Sequence, residues 1–188
     1  MPEVLKVAQL GQPVLRARAK EVTKEELTSR EFQSFIGNMV ETLITQQGVG
    51  LAAPQVFDSR RVFLAAVLEE EDSDEEEGAQ IEVFINPVIE EPSVKMESDW
   101  EGCLSFRELL VLVPRHQSLR IRYQNQLGEE KSLDLDGYYA RVVQHELDHL
   151  DGVLTIDRAK STKDIIKASE IDAVEKKETT RKRRSKEE

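Results

Sequence analysis

The segment Gln144-His145-Glu146-Leu147-Asp148-His149-Leu150 constrains this chain more than any other. Two of the three histidines in the protein lie four residues apart within it. On a helix, positions i and i+4 share a face, so both imidazoles can grip one metal ion. Asp136 stands where it could cap such a helix, expected from about Gly137 to Leu150, with Gly152 just past its end. Glu146 would sit near the ion without binding it, which suits proton transfer. Two imidazoles alone do not make a site. The rest of the chain must fold so as to bring a third ligand to this helix.

Candidates for that ligand are few. One zinc-protease pattern would place a histidine six residues after His149, but that position is Thr155. Glu170 could complete a zinc endopeptidase site. Cys103 is the other candidate, in Glu101-Gly102-Cys103-Leu104-Ser105. A lone cysteine is more often a small buried apolar residue than a ligand. Its glycine and polar neighbours favour a functional loop. As the single cysteine it excludes an intramolecular disulfide, and a reducing, cytoplasmic setting is expected.

The 188 residues are enough for one domain with a tail. Thr23-Lys24-Glu25-Glu26 has the form of a capping box. Phe32, Phe35, Ile36, Met39, Val40, Leu43 and Ile44 then recur at three- and four-residue steps, one apolar face of a long helix. Gly48 and Gly50 break it. Strands are predicted over Arg61–Leu68, Ile81–Ile89, Val111–Val113, Ser118–Gln124 and Lys131–Leu135, with Gly128 in a turn. A third helix is expected over Ser161–Lys177, and Thr179–Glu188, nearly all polar, should fray. Strands followed by a helix, without β-α alternation, point to the α+β class.

Charge narrows the function. Lys and Arg number 26 against 37 Asp and Glu, a net −11, which argues against DNA or RNA binding driven by overall charge. Glu69 to Glu77 alone holds eight carboxylates and reads as a solvated loop, with a divalent-ion or basic-partner site as the alternative. No apolar run approaches the ~18 residues of a membrane helix, and Met1–Gln9 lacks the pattern of a signal peptide. No membrane partner is expected.

Three segments, taken in order and spacing, resemble the peptide deformylase family: Gly48-Val49-Gly50-Leu51-Ala52-Ala53-Pro54-Gln55, Glu101-Gly102-Cys103-Leu104-Ser105 and Gln144-His145-Glu146-Leu147-Asp148-His149. Asn86-Pro87, Val113-Pro114-Arg115 and Gly152-Val153-Leu154 agree as well. The resemblance runs from about Leu5 to Arg158. It implies a catalytic domain over residues 1–158 and a charged C-terminal helix or tail, partly disordered, over 159–188. The implied fold is antiparallel β-sheets around a central helix that carries both histidines.

The implied activity is hydrolysis of the N-formyl group of new polypeptides, releasing formate. Cys103, His145 and His149 would hold one divalent ion, Fe(II) in the family, with nickel, cobalt or zinc as substitutes. Glu146 would move the proton. The side-chain amide of Gln55 and the backbone N–H of Leu104 would stabilise the developing oxyanion. Val49, Val142 and the aliphatic stem of Arg141 would line the pocket for the methionine side chain, and Gly50 and Gly102 would border the substrate. In the family the Gly48–Gly50 segment pairs with the peptide like an added strand. Glu101 is expected to be a structural carboxylate paired with Arg115, and His116 an exposed polar residue.

Two positions depart from the family pattern. Phe106-Arg107 stand where an aliphatic residue and proline are usual, and Leu110 where many members carry an arginine that meets the substrate backbone. Weaker discrimination beyond the second substrate residue is therefore expected. The departures also motivate a rival reading, a binding protein that kept the fold and lost useful turnover. The tail holds seven Lys/Arg from Lys176 to Lys186. Bacterial relatives contact the ribosome through a C-terminal helix, so a ribosomal partner is expected for it.

Overall fold

A computed structural model describes residues 2–67, 80–174 and 176. The acidic run Glu69–Glu77 and the end of the tail lie outside the described residues. The chain opens with an extended segment and one 3-10 turn. Helix α1 (Lys24–Thr28) follows, and Thr23 and Glu26 form the expected reciprocal capping box. Ser29 caps α2 (Arg30–Thr45) by accepting from the N–H of Phe32. The predicted apolar face buries Phe32, Ile36, Met39 and Leu43. The helix stops at Thr45, before either glycine. Gln46 takes the C-cap position, and Gln47 turns the chain with φ 53°.

Five strands form the larger sheet, in the order β1-β2-β3-β6-β7, all neighbours antiparallel. They are β1 (Gly50–Ala52), β2 (Val62–Val67), β3 (Gln80–Glu90), β6 (Ser118–Gln124) and β7 (Glu130–Asp136). Leu68, the predicted end of β2, lies outside the described residues. A second sheet joins β4 (Met96–Glu101), β5 (Leu109–His116) and β8 (Ile165–Lys167), with β5 in the middle. Helix α3 (Gly137–Leu150) sits between the sheets and touches β1, β2, β5, β6 and β7. Short α4 (Thr155–Arg158) packs on β5. The architecture is the expected α+β arrangement of antiparallel sheets around the histidine helix. No helix among the described residues is long and apolar enough to cross a membrane.

Two cores flank α3. One gathers Phe63, Phe84, Leu119, Ile121, Val142, Val143 and Leu150 between α3 and the larger sheet. The stacked rings of Phe63 and Phe84, 4.7 Å apart, lie within it. The other joins Leu15, Cys103, Phe106, Val111, Val113 and Leu154 beneath the second sheet. Cys103 is thus buried among apolar side chains while its sulfur faces α3.

Three expectations are corrected. The helix expected over Ser161–Lys177 forms only at its far end, where Ile171–Val174 and Lys176 are helical. β-Branched Ile165 and Ile166 instead pair with Val111 and Leu110 as β8, because the edge of β5 offers unpaired backbone groups. The packed structure therefore continues beyond Arg158. Asp136 occupies the N-cap position of α3 but makes no side-chain capping bond. His116 is half-buried, with Nδ1 2.6 Å from the carbonyl of Ser93.

Candidate metal centre and its cleft

The i, i+4 spacing on α3 turns His145 and His149 toward the same point, with ring centroids 5.0 Å apart. The loop after β4 carries Cys103 to that point. One ligand atom from each of Cys103, His145 and His149 lies within 4.8 Å of the others, and all three residues are buried. Cys103 Sγ is 3.3 Å from His149 Nε2. Glu170 is exposed and belongs to no such cluster among the described residues, so the endopeptidase ligand set is not assembled.

A thiolate and two imidazoles fit a divalent transition metal. The charge state of the site agrees. Burial holds His149 well below its ordinary pKa, so that ring is neutral and ready to bind. Burial pulls His145 the same way, but its hydrogen bonds to Cys103 and Glu101 outweigh it and raise that pKa. A cation bound at the cluster would displace that proton.

Glu101 does more than pair with Arg115. One carboxylate oxygen lies 3.0 Å from His145 Nδ1 and the same distance from Arg115 Nη2. The other accepts from Arg115 Nε at 3.0 Å and from Arg141 Nη1 at 2.7 Å. A Nδ1–H donated to Glu101 leaves His145 Nε2 free to face the cluster. Burial would raise the Glu101 carboxyl, but these partners hold it down at about 2.

Asp148 extends the network. It accepts from Arg115 and, at 2.6 and 3.0 Å, from Arg158. Five charged residues, Glu101, Arg115, Arg141, Asp148 and Arg158, thus tie α3 to β4, β5 and α4. Sequence reasoning missed Asp148 and Arg158, although the place of Asp148 between Glu146 and His149 was a usable signal.

Glu146 faces the opposite wall. Burial pushes its carboxyl up to about 7, near the value an acid–base catalyst needs. Its Oε2 is buried without a hydrogen-bond partner among the described residues. Such an orphan is costly unless a ligand or water completes it. Gly50 lies directly against this carboxylate.

Gln55 is fixed by its own loop. Its Oε1 accepts from the N–H of Ala52 at 2.9 Å, which aims Nε2 at Ser105 Oγ (3.3 Å) and Cys103 Sγ (3.6 Å). The N–H of Leu104 has no partner among the described residues. A segment near the N-terminus, missed in the sequence, clamps these two loops together. Ala8 N–H donates to Gln55 O (2.7 Å), Leu10 N–H to Ser105 O (2.9 Å) and the Gln9 amide to Leu104 O (3.3 Å).

A cavity of about 380 Å³ opens onto the cluster, lined by Val49, Gly50, Gln55, Glu101, Gly102, Cys103, Leu104, Arg141, Val142 and Glu146 among others. Val142 is nearly buried and also part of the core. Arg141 contributes its stem, while its guanidinium is tied to Glu101, Val113 O and Glu97 O. Trp100, Tyr138 and Arg107 also line the cavity, and no local pattern marks the first two for it. β1 is the edge strand of its sheet, so its unpaired side borders this space.

Comparison with known proteins agrees with this geometry. The family model for polypeptide deformylase matches residues 4–164. The chain is 45% identical over 162 residues to a peptide deformylase of Thermotoga neapolitana, covering 86% of this chain and 90% of that protein. It is 37% identical over 178 residues to peptide deformylase 2 of a Nostoc species, covering 95% and 98%. Among solved structures, peptide deformylase from Thermotoga maritima superposes with TM-score 0.75 at 42% identity, over 85% of this chain and 99% of that one. A Met-Ala-Ser-bound class I type b peptide deformylase from Acinetobacter baumannii gives TM-score 0.76 at 35% identity, over 84% and 99%.

Proposed function

The chain belongs to the polypeptide deformylase family, and from that membership we propose that its cleft hydrolyses the formyl group of formyl-methionyl peptides with Cys103, His145 and His149 holding one divalent ion. The observation that carries the reading is Glu146, a buried carboxylate with one unpaired oxygen, on the same helix as two ligands and facing the same cavity. When bound, the ion supplies Lewis acidity that readies water for attack at neutral pH. Fe(II) is the ion the family resemblance favours, with nickel, cobalt or zinc able to replace it.

The peptide lies extended along β1, whose free edge can accept it as an added strand. Such recognition suits nascent chains, because backbone contacts do not depend on side-chain identity. The Acinetobacter enzyme's bound Met-Ala-Ser is consistent with this substrate class. Methionine's side chain sits among Val49, Val142 and the Arg141 stem. Its formyl oxygen meets Gln55 Nε2 and the Leu104 N–H, two donors held in place before the reaction begins. Glu146 accepts the proton of the attacking water and returns it to the departing amine. The C–N bond breaks, and formate and a free N-terminus leave. The substrate is made on ribosomes, so the cytoplasm is the proposed setting, and the basic tail is proposed to approach ribosomal RNA.

Formate release from formyl-Met-Ala-Ser tests this directly. Protein purified without oxygen and loaded with Fe(II) or nickel should release formate, and Glu146→Ala should not. A wild-type protein that binds one ion per chain and releases none would instead support the binding-protein reading.

A further inference from the structure

Two arginines line the catalytic cavity, Arg107 and Arg141. Arg141 is committed, with Glu101 and two backbone carbonyls as its partners. Arg107 is not. It is exposed, forms no ion pair among the described residues, and uses only Nη2 there, which donates to the carbonyl and the side-chain oxygen of Gln46 at 3.1 and 2.6 Å. Its Nε–H and Nη1 hydrogens have no partner among the described residues. The two acceptors on Gln46 are neutral, so they orient the guanidinium without cancelling its charge.

The position relative to the chemistry is set by the opposite wall. Gly50 abuts Glu146, so the formyl end of a substrate lies there. Gly48 stands two residues back along that wall, against Leu104, and the wall then turns at Gln47 to Gln46, whose carbonyl and side chain hold Arg107 at the edge of the same cavity. An extended peptide advances roughly 3.3 Å per residue. A chain that starts at Gly50 and follows this wall brings its second and third residues toward Arg107.

We infer that Arg107 is a specificity residue, favouring formyl peptides with an acidic side chain at the second or third position. The inference rests on the deformylase reading and adds a charge preference to it. It is separate from the expected loss of length discrimination at Leu110, which concerns a backbone contact.

The test uses the metal-loaded full chain and formyl-Met-X-Y peptides with amidated C-termini, so that the side chains alone carry the variable charge. X and Y are varied in turn among Glu, Gln and Lys. Wild-type kcat/KM should favour Glu over Gln by about fivefold at one of the two positions, the size of a single exposed ion pair, through KM and decreasingly as salt rises. The Glu/Gln ratio should fall to near one in Arg107→Gln, persist in Arg107→Lys and invert toward Lys in Arg107→Glu. A wild-type ratio near one at both positions, with the Gln peptides turned over well, overturns the charge preference and leaves the deformylase reading intact. A ratio that Arg107→Gln leaves unchanged reduces Arg107 to a cap on the end of α2. Failure of the wild type to turn over any peptide overturns the deformylase reading, and this inference with it.

Discussion

A β-carbon built on Gly50 would clash with Oε1 of Glu146 and lie 2.7 Å from its carboxylate carbon. No side chain larger than hydrogen fits there unless the proposed acid–base residue moves. The glycine thus serves the carboxylate as well as the close approach of an extended peptide. Gly50→Ala should lower kcat by roughly a hundredfold, the usual effect of misplacing a catalytic group by about 1 Å. Metal content should stay at one ion per chain. Formate release beside metal analysis by atomic emission checks both, and full activity in the alanine variant would show that Glu146 is not the working base.

Glu101 anchors His145, Arg115 and Arg141 at once. Glu101→Gln keeps the shape but leaves two buried guanidinium groups facing a neutral amide. Metal affinity should fall about 10- to 100-fold, because the ring that Glu101 orients is a ligand. Stability should fall by about 3–5 kcal/mol, as for other broken buried ion pairs. Competition with a chromophoric chelator and urea unfolding measure the two effects separately.

Removing Cys103 separates the ligand sets considered from the sequence. Cys103→Ala should abolish stoichiometric metal binding, whereas Glu170→Ala should leave it at wild-type level. Exposed Glu170 lies outside the cluster that joins Cys103 to the two histidines. Retention of a tightly held ion by the cysteine variant would contradict the proposed centre.

Asn86 ties β3 to the segment before α1. Its side chain accepts from Val22 N–H at 2.8 Å and donates to Val22 O at 2.9 Å, while its own backbone has φ 51°. Asparagine tolerates that left-handed conformation better than most residues do. Asn86→Ala loses both bonds and strains the backbone, so it should cost about 2–3 kcal/mol in urea unfolding. Asn86→Gly relieves the strain alone and should cost less.

The tail must be cut in the right place to test the ribosome proposal. Truncation at Ala159 would also remove β8 from the second sheet, so its effect would mix folding with binding. Truncation after Glu170 keeps β8. That variant should turn over formyl-Met-Ala-Ser normally and lose salt-sensitive co-sedimentation with ribosomes. Undiminished co-sedimentation would remove the tail from consideration.

Local pattern made much of this protein legible. The capping box at Thr23, the apolar stripe of α2 and the paired histidines of α3 each express a 3.6-residue period or a fixed offset. Strands β2 and β3 are visible because they are rich in β-branched and aromatic residues, and β6 and β7 because Ile121/Tyr123 and Leu133/Leu135 alternate with polar residues on either side of the Gly128 turn. β4 is not. Met96-Glu97-Ser98-Asp99-Trp100-Glu101 has a polar, mostly exposed face throughout, and only its pairing with β5 makes it a strand. β8 reads as helix in the sequence because three residues are too few to show a period of two.

The sequence by itself determined the ligand types, the helix that carries two of them and the family to which they belong. All of these depend on residues close together in the chain or on motifs in fixed order. Tertiary structure alone decided that Glu101 orients His145 and that Asp148 joins Arg115 to Arg158. It also decided that the segment Ala8–Leu10 clamps the Gln55 and Leu104 loops. The Gln9–Leu104 contact spans 95 residues. Such contacts form between backbone amides and charged side chains brought together by packing, and neither partner carries a local pattern that names the other.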